Sequence, residues 1–131
     1  MAMSGNCLLD TNVVVAILRN QSLHSPRPEE HALLAINVIV LGELRFGALR
    51  SARPREGLAE IERFQDSISL LDCTRATCEN YAELRQFLAN IGKPIPENDM
   101  WIAATALQYG LTLWTDDAHF DAIPHLTKER W

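Results

Sequence analysis

Short apolar runs alternate along this chain with stretches in which apolar positions return every three or four residues, the pattern of a parallel sheet with helical crossovers. Asn6 to Leu9 predicts a first strand, followed by a helix capped by Thr11 or Asn12 and running to about Arg19. Asn20 to Glu30, "NQSLHSPRPEE", reads as a loop with room for a short helix starting at Pro28. Leu33 to Asn37 predicts a second strand, and Ile39, Leu41, Leu44, Phe46 and Leu49 trace a helix ending near Arg50. Leu58, Ile61, Phe64 and Ile68 mark a helix over Arg55 to Ser67, with a third strand at Ile68 to Asp72. Cys78, Tyr81, Leu84 and Leu88 repeat at helical spacing within Thr74 to Asn90, and Gly92 stands just past that end. Beyond the Pro-rich turn "KPIPEND" comes a helix from Asp99 to Tyr109 closed by Gly110, then a fourth strand at Leu111 to Trp114 and a fifth near Leu126 to Lys128.

Composition narrows the class. The 131 residues fit one domain over 1–131, with 1–5 expected to be a disordered lead, and a chain of this length buries enough surface to need no staple. No apolar run approaches the ~18 residues of a membrane span, and "MAMSGN" lacks the basic residues of a signal or transit peptide, so a cytoplasmic protein with no membrane role is expected. Cys7, Cys73 and Cys78 form no CxxC pair, which favours a reducing compartment, free buried thiols and no zinc site, with one disulfide as the alternative the spacing leaves open. A net charge of −5 argues against charge-driven nucleic-acid binding by the whole surface. Acids clustered in one place would still reach phosphate through a bound cation.

Four acids stand out by position. Asp10 follows the first strand, Glu43 lies in the helix after the second, Asp99 opens the helix after the Pro-rich turn, and Asp117 follows the fourth strand. In a parallel sheet with right-handed crossovers, whatever follows a strand lies at the carboxyl edge, where open α/β sheets bind ligands. Taken singly, Asp10 and Asp99 have an ordinary reading as helix caps and Asp117 as a turn residue, whereas Glu43 in "VIVLGELRFGAL" is hard to place without a partner. Two like charges at 4 Å repel by roughly 4 kcal/mol at an effective dielectric near 20, so converging carboxylates call for a cation. Oxygen-only ligation points to Mg²⁺ or Mn²⁺, and the chemistry to phosphodiester hydrolysis by metal-activated water.

With these residues in place, the sequence resembles the PIN-domain ribonucleases, and more narrowly the VapC-type toxins of bacterial toxin–antitoxin pairs. "LLDTNVVVAILR", "NVIVLGELRFGALRS" and "GKPIPENDMWIAATALQYGLTLWTDDAHF" carry the likeness, over about Cys7 to Leu126. It implies a PIN-like three-layer α/β fold, a central parallel sheet of four or five strands flanked by helices. It implies a Mg²⁺-dependent endoribonuclease (Mn²⁺ as alternative) whose catalytic and metal-binding acids are Asp10, Glu43, Asp99 and Asp117, supported by Thr11, Asn12, Thr115 and Asp116. Asp116 is an extra acid able to share or replace the role of Asp117. The partners implied are RNA, a cognate VapB-type antitoxin and a second copy in a homodimer.

Arg45, Arg50 and Arg53 lie in the densest basic stretch and are candidates to guide RNA, against a plain reading as a solvated face paired with Glu56 and Glu60. Phe46 and Leu49 suit a core, a dimer seam or an antitoxin groove equally. His119 is read as a surface histidine rather than a ligand, Trp101 and Trp114 as packed near the rim, and Trp131 as exposed. There is no G-x-S-x-G elbow, P-loop or G-x-G-x-x-G, and Asn12 stands where a haloacid-dehalogenase-type phosphatase expects its second Asp. The alternative function is a catalytically silent PIN-fold module that binds RNA or protein.

Overall fold

A computed structural model gives the architecture for residues 5–20 and 32–131. Its strands are β1 (Cys7–Leu9), β2 (Leu34–Asn37), β3 (Ser69–Leu71), β4 (Thr112–Trp114) and β5 (Lys128–Glu129). The helices are α1 (Thr11–Leu18), α2 (Val38–Leu49), α3 (Pro54–Gln65), α4 (Arg75–Asn90) and α5 (Glu97–Tyr109), with a 3₁₀ turn at Ala118–Ala122. The short helix expected at Pro28 and most of the expected lead lie outside the described residues.

All five strands pair in parallel in the order β3-β2-β1-β4-β5, in a three-layer α/β arrangement. Central β1 reads as an unbroken apolar run because it is covered on both faces, and Cys7, Leu8 and Leu9 are all buried. From β1 the chain steps outward to β2 and β3, then returns through α4 and α5 to the other side of β1 to form β4. The direction of winding therefore reverses between β1 and β4. Such a switch point opens a crevice beyond the carboxyl ends of the two strands, and Asp10 and Thr115 are the residues that follow them. A hydrogen bond from the Asp10 N–H to the Trp114 carbonyl, 2.9 Å, ties the two exits together.

Local chemistry sets the element ends. Asn37 closes β2 and caps α2, its Oδ1 accepting from the Val40 N–H at 2.9 Å while its Nδ2 donates to the buried Thr105 hydroxyl at 3.1 Å. Gly92, at φ +69, lets α4 end in a left-handed residue, and the Lys93 N–H returns to the Leu88 carbonyl at 2.9 Å. Two expected caps differ. α1 is capped by Asp10 rather than by Thr11 or Asn12, because Asp10 keeps the extended backbone of β1 (φ −73, ψ 161) and Thr11 is already helical. α5 starts at Glu97 after Pro96, whose extended backbone ends the turn, so Asp99 is the third helical residue instead of the first.

The core joins β1 and β4 to α5 and the 3₁₀ turn through Leu8, Leu113, Ile102 and Phe120. Trp131, expected to be exposed, is buried at 6% exposure and meets Trp114 edge-on with ring centroids 5.6 Å apart. Parallel pairing of β5 with β4 brings the residues after it back over the sheet. Trp101, half-buried on α5, stacks flat on Tyr81 of α4 at 3.9 Å. Of the thiols only Cys7 is buried; Cys73 and Cys78 are exposed around the first turn of α4, so the expectation of three buried thiols is corrected. No helix among the described residues is long and apolar enough to cross a membrane.

Candidate active site

The switch point gathers its carboxylates in two layers. Asp10 forms the deeper one, at 4% exposure. Its Oδ1 accepts from the Thr11 N–H at 2.8 Å, and its Oδ2 accepts from the Thr115 hydroxyl at 2.7 Å and the Asn12 amide at 3.3 Å. Capping and site-building thus fall to different oxygens of one side chain. Thr115 is held in turn, since its Oγ1 accepts from the Asp117 N–H at 3.0 Å, and Asn12 Oδ1 accepts from the Asp116 N–H at 3.2 Å. The turn after β4 is therefore pinned to the start of α1.

Glu43 comes in from α2, six residues past the Asn37 cap. One oxygen accepts from the Thr11 hydroxyl at 2.6 Å, and the other lies 3.5 Å from the Asn98 amide. Thr11 thereby serves both acids, its N–H on Asp10 and its hydroxyl on Glu43. A Glu amid apolar neighbours acquires the partner its sequence setting demanded.

The outer layer is Asp99, Asp117 and His119. Asp117 caps the 3₁₀ turn, its Oδ1 accepting from the His119 N–H at 2.9 Å, and the buried Phe120 anchors that turn. The His119 Nδ1 sits 2.9 Å from Asp99 Oδ2 and 3.1 Å from Asp117 Oδ1. Among the described residues these three form a group whose potential donor atoms all lie within 4.8 Å of one another. Sequence reading set His119 aside as a surface residue; the Asp-x-His spacing, typical of an Asx turn, is the signal that could have turned it toward the acids.

Asp116, weighed as a stand-in for Asp117, is engaged by a cation of the chain itself: its Oδ1 takes the Arg130 guanidinium at 2.8 and 3.0 Å. That pairing, invisible in the sequence, places Arg130 beside a cavity of about 530 Å³ shared with Thr115, Asp117 and Lys128. The three arginines expected near RNA are all exposed. Arg50 lies 5.5 Å over the Phe46 ring, and Arg53 pairs with Glu56 at 3.4 Å, which is the plainer of the two sequence readings. Phe46 and Leu49, at 59% and 60% exposure, are surface residues, which removes the core from their possible roles.

Electrostatics marks the deep layer. Burial pushes the Asp10 carboxyl up to about 6, against the hydrogen bonds from Thr115 and Thr11, and the charges of Asp99 and Glu43 add to the rise. Asp99 is raised by burial first; the bond to His119 opposes this, while Asp117 and Glu43 add to it. His119 is raised above the usual imidazole value, chiefly by its bond to Asp99. A carboxylate whose ionised form is disfavoured by burial, and further by neighbouring charges, is relieved by a divalent cation, and oxygen donors with one imidazole nitrogen form a set that such a cation accepts.

The sequence model of the PIN domain family matches residues 7–126. Ribonuclease VapC2 of Haemophilus influenzae is 30% identical over 127 residues, covering 95% of this chain and 96% of the relative. The tRNA(fMet)-specific endonuclease VapC of Shigella flexneri is 31% identical over the same length and coverage. Among solved structures, VapBC2 of Rickettsia felis bound to a DNA fragment from its promoter superposes with a TM-score of 0.84 at 27% identity, covering 95% of this chain and 98% of the other.

Proposed function

The chain belongs to the PIN domain family, in its VapC branch, and on that premise we propose that it is a metal-dependent endoribonuclease toxin restrained by a cognate VapB-type antitoxin. The observation that carries this is Asp10, a nearly inaccessible carboxylate pushed up to about 6 and facing the charges of Asp99 and Glu43 at the sheet's switch point. Capping α1 alone does not call for crowding this carboxylate with Asp99 and Glu43. Asp10, Glu43, Asp99 and Asp117 are the residues we assign to holding Mg²⁺ or Mn²⁺. When bound, such an ion polarises the scissile phosphoryl group and lowers the pKa of water, supplying the nucleophile for hydrolysis of the RNA phosphodiester.

The remaining work is done by the chain itself. Thr115 and the Thr11 N–H stabilise the ionised form of Asp10, while the Thr11 hydroxyl fixes Glu43. Asp99 sits in the first turn of α5, where the helix dipole favours a negative charge. Asn12 orients the turn that carries Asp117, and Asp116 acts on the same turn through Arg130. Arg45, exposed two residues past Glu43, is the best placed of the three arginines to meet RNA, since Arg50 and Arg53 are engaged with Phe46 and Glu56. Phe46 and Leu49 give α2 an apolar outer face, which we assign to the antitoxin or the homodimer partner, in the cytoplasm.

Incubating purified, antitoxin-free protein with total RNA, with and without Mg²⁺, and mapping the new ends tests this reading. Discrete metal-dependent ends support it. Intact RNA under every condition tried would favour the silent binding module instead.

A further inference from the structure

The site contains one donor that is not a carboxylate, and its placement is specific. His119 Nδ1 has two oxygen neighbours at nearly equal range, Asp99 Oδ2 at 2.9 Å and Asp117 Oδ1 at 3.1 Å. A neutral imidazole offers at Nδ1 either one N–H or one lone pair, so a single proton there cannot serve both carboxylates with good geometry. A cation between the three atoms satisfies all of them. Donors on adjacent corners of an octahedron with bonds of about 2.1 Å stand roughly 3.0 Å apart, and both separations fall at that value.

The local backbone supports the same arrangement. The His119 N–H is bonded to Asp117, the following Phe120 is wholly buried, and Asp99 is on a helix, so all three donors are carried by fixed elements. Exposure falls from 52% at the His119 side chain to 33% at Asp117 and 14% at Asp99, so the imidazole stands at the mouth and the carboxylates beneath it.

We propose that His119, through Nδ1, is a direct ligand of the catalytic cation together with Asp99 and Asp117, and that this nitrogen biases the site toward a first-row transition ion over Mg²⁺. The inference rests on the metal-dependent reading given above and extends it to the identity of the ion. Imidazole suits transition ions, whereas Mg²⁺ takes oxygen donors almost exclusively, so a mixed set shifts the preference.

Mn²⁺ alone is the probe. Pulsed electron paramagnetic resonance of the Mn²⁺-loaded wild type is expected to show modulation from a directly bonded ¹⁴N that changes to the ¹⁵N pattern when histidine is isotopically labelled. His119→Ala is expected to lose that signal while still binding Mn²⁺ roughly tenfold or more weakly, with a smaller loss for Mg²⁺. His119→Asn serves if the alanine variant does not fold. Bound Mn²⁺ with only oxygen donors in the wild type, or a nitrogen signal that persists in the folded variant, overturns the ligand assignment and leaves the nuclease reading standing. Failure of the wild type to bind Mn²⁺ at millimolar concentration overturns both.

Discussion

Replacing Asp10 by Asn should reverse sign with pH in its effect on stability. In the fold the Asp10 carboxyl sits at about 6, against an ordinary value of 3.8. The native state therefore binds this proton more tightly than the unfolded chain, and metal-free stability falls as pH rises from the unfolded value through the folded one. A displacement of roughly two units corresponds to about 3 kcal/mol, most of it lost between about pH 4 and pH 7. Asn cannot ionise and escapes that loss. It keeps an acceptor for the Thr11 N–H but turns an NH₂ toward the Thr115 hydroxyl and the Asn12 amide, a pH-independent cost of about 1 kcal/mol. Asp10→Asn should thus be about 1 kcal/mol less stable than the wild type near pH 4 and about 2 kcal/mol more stable near pH 7, a relative swing of roughly 10 °C in Tm for a chain of this size. Thermal melts of both proteins in chelator across this range supply the comparison, and the difference between them cancels every other titrating group. Two curves that stay parallel from pH 4 to pH 7 would mean that Asp10 is neither desolvated nor crowded by charge.

Other residues yield simpler expectations. Thr11→Val removes the hydroxyl bonded to Glu43 and should lower RNA cleavage by about 10- to 100-fold in a gel assay while the protein stays folded. Trp131→Ala should cost about 3 kcal/mol in denaturant unfolding, since it strips the buried ring from Trp114, yet leave cleavage per folded molecule unchanged. Phe46→Ser and Leu49→Ser, both on the exposed face of α2, should shift stability by less than about 0.5 kcal/mol but weaken antitoxin capture or dimerisation in a co-purification or sedimentation assay. Equal partner binding by both variants would place that interface elsewhere.

The contrast between the legible and illegible parts of this site is physical. Asp10 and Asp117 could be placed on one rim from sequence because they follow parallel strands, and right-handed crossovers send every strand exit to the same edge. Glu43 was betrayed by its apolar neighbours. For His119 only the link to Asp117, two residues away, left a trace in the sequence; its contact with Asp99, like that of Arg130 with Asp116, was not legible, because those partners lie 20 and 14 residues away in the chain and the contacts depend on how the turn after β4 folds back. Between the capping roles open to Asp10 and to Thr11 or Asn12 the sequence could not choose, because the hydroxyl of Thr11 looked free to cap, whereas the fold commits it to Glu43 and leaves the cap to Asp10. Trp131 escaped because a chain end carries no periodicity, and only the pairing of β5 with β4 brings it back over Trp114.

If the carboxylates at the switch point serve to hold a divalent ion, added Mn²⁺ or Mg²⁺ must change the Tm of the wild type and of Asp99→Asn differently. The wild type should rise with ion concentration, by roughly 2.7 kcal/mol of added stability at about a hundred times Kd. In chelator, Asp99→Asn should melt at or above the wild type, since it removes a raised carboxylate, and it should lose most of the response to metal. A wild type whose Tm is indifferent to millimolar ion would mean that these carboxylates hold no divalent cation.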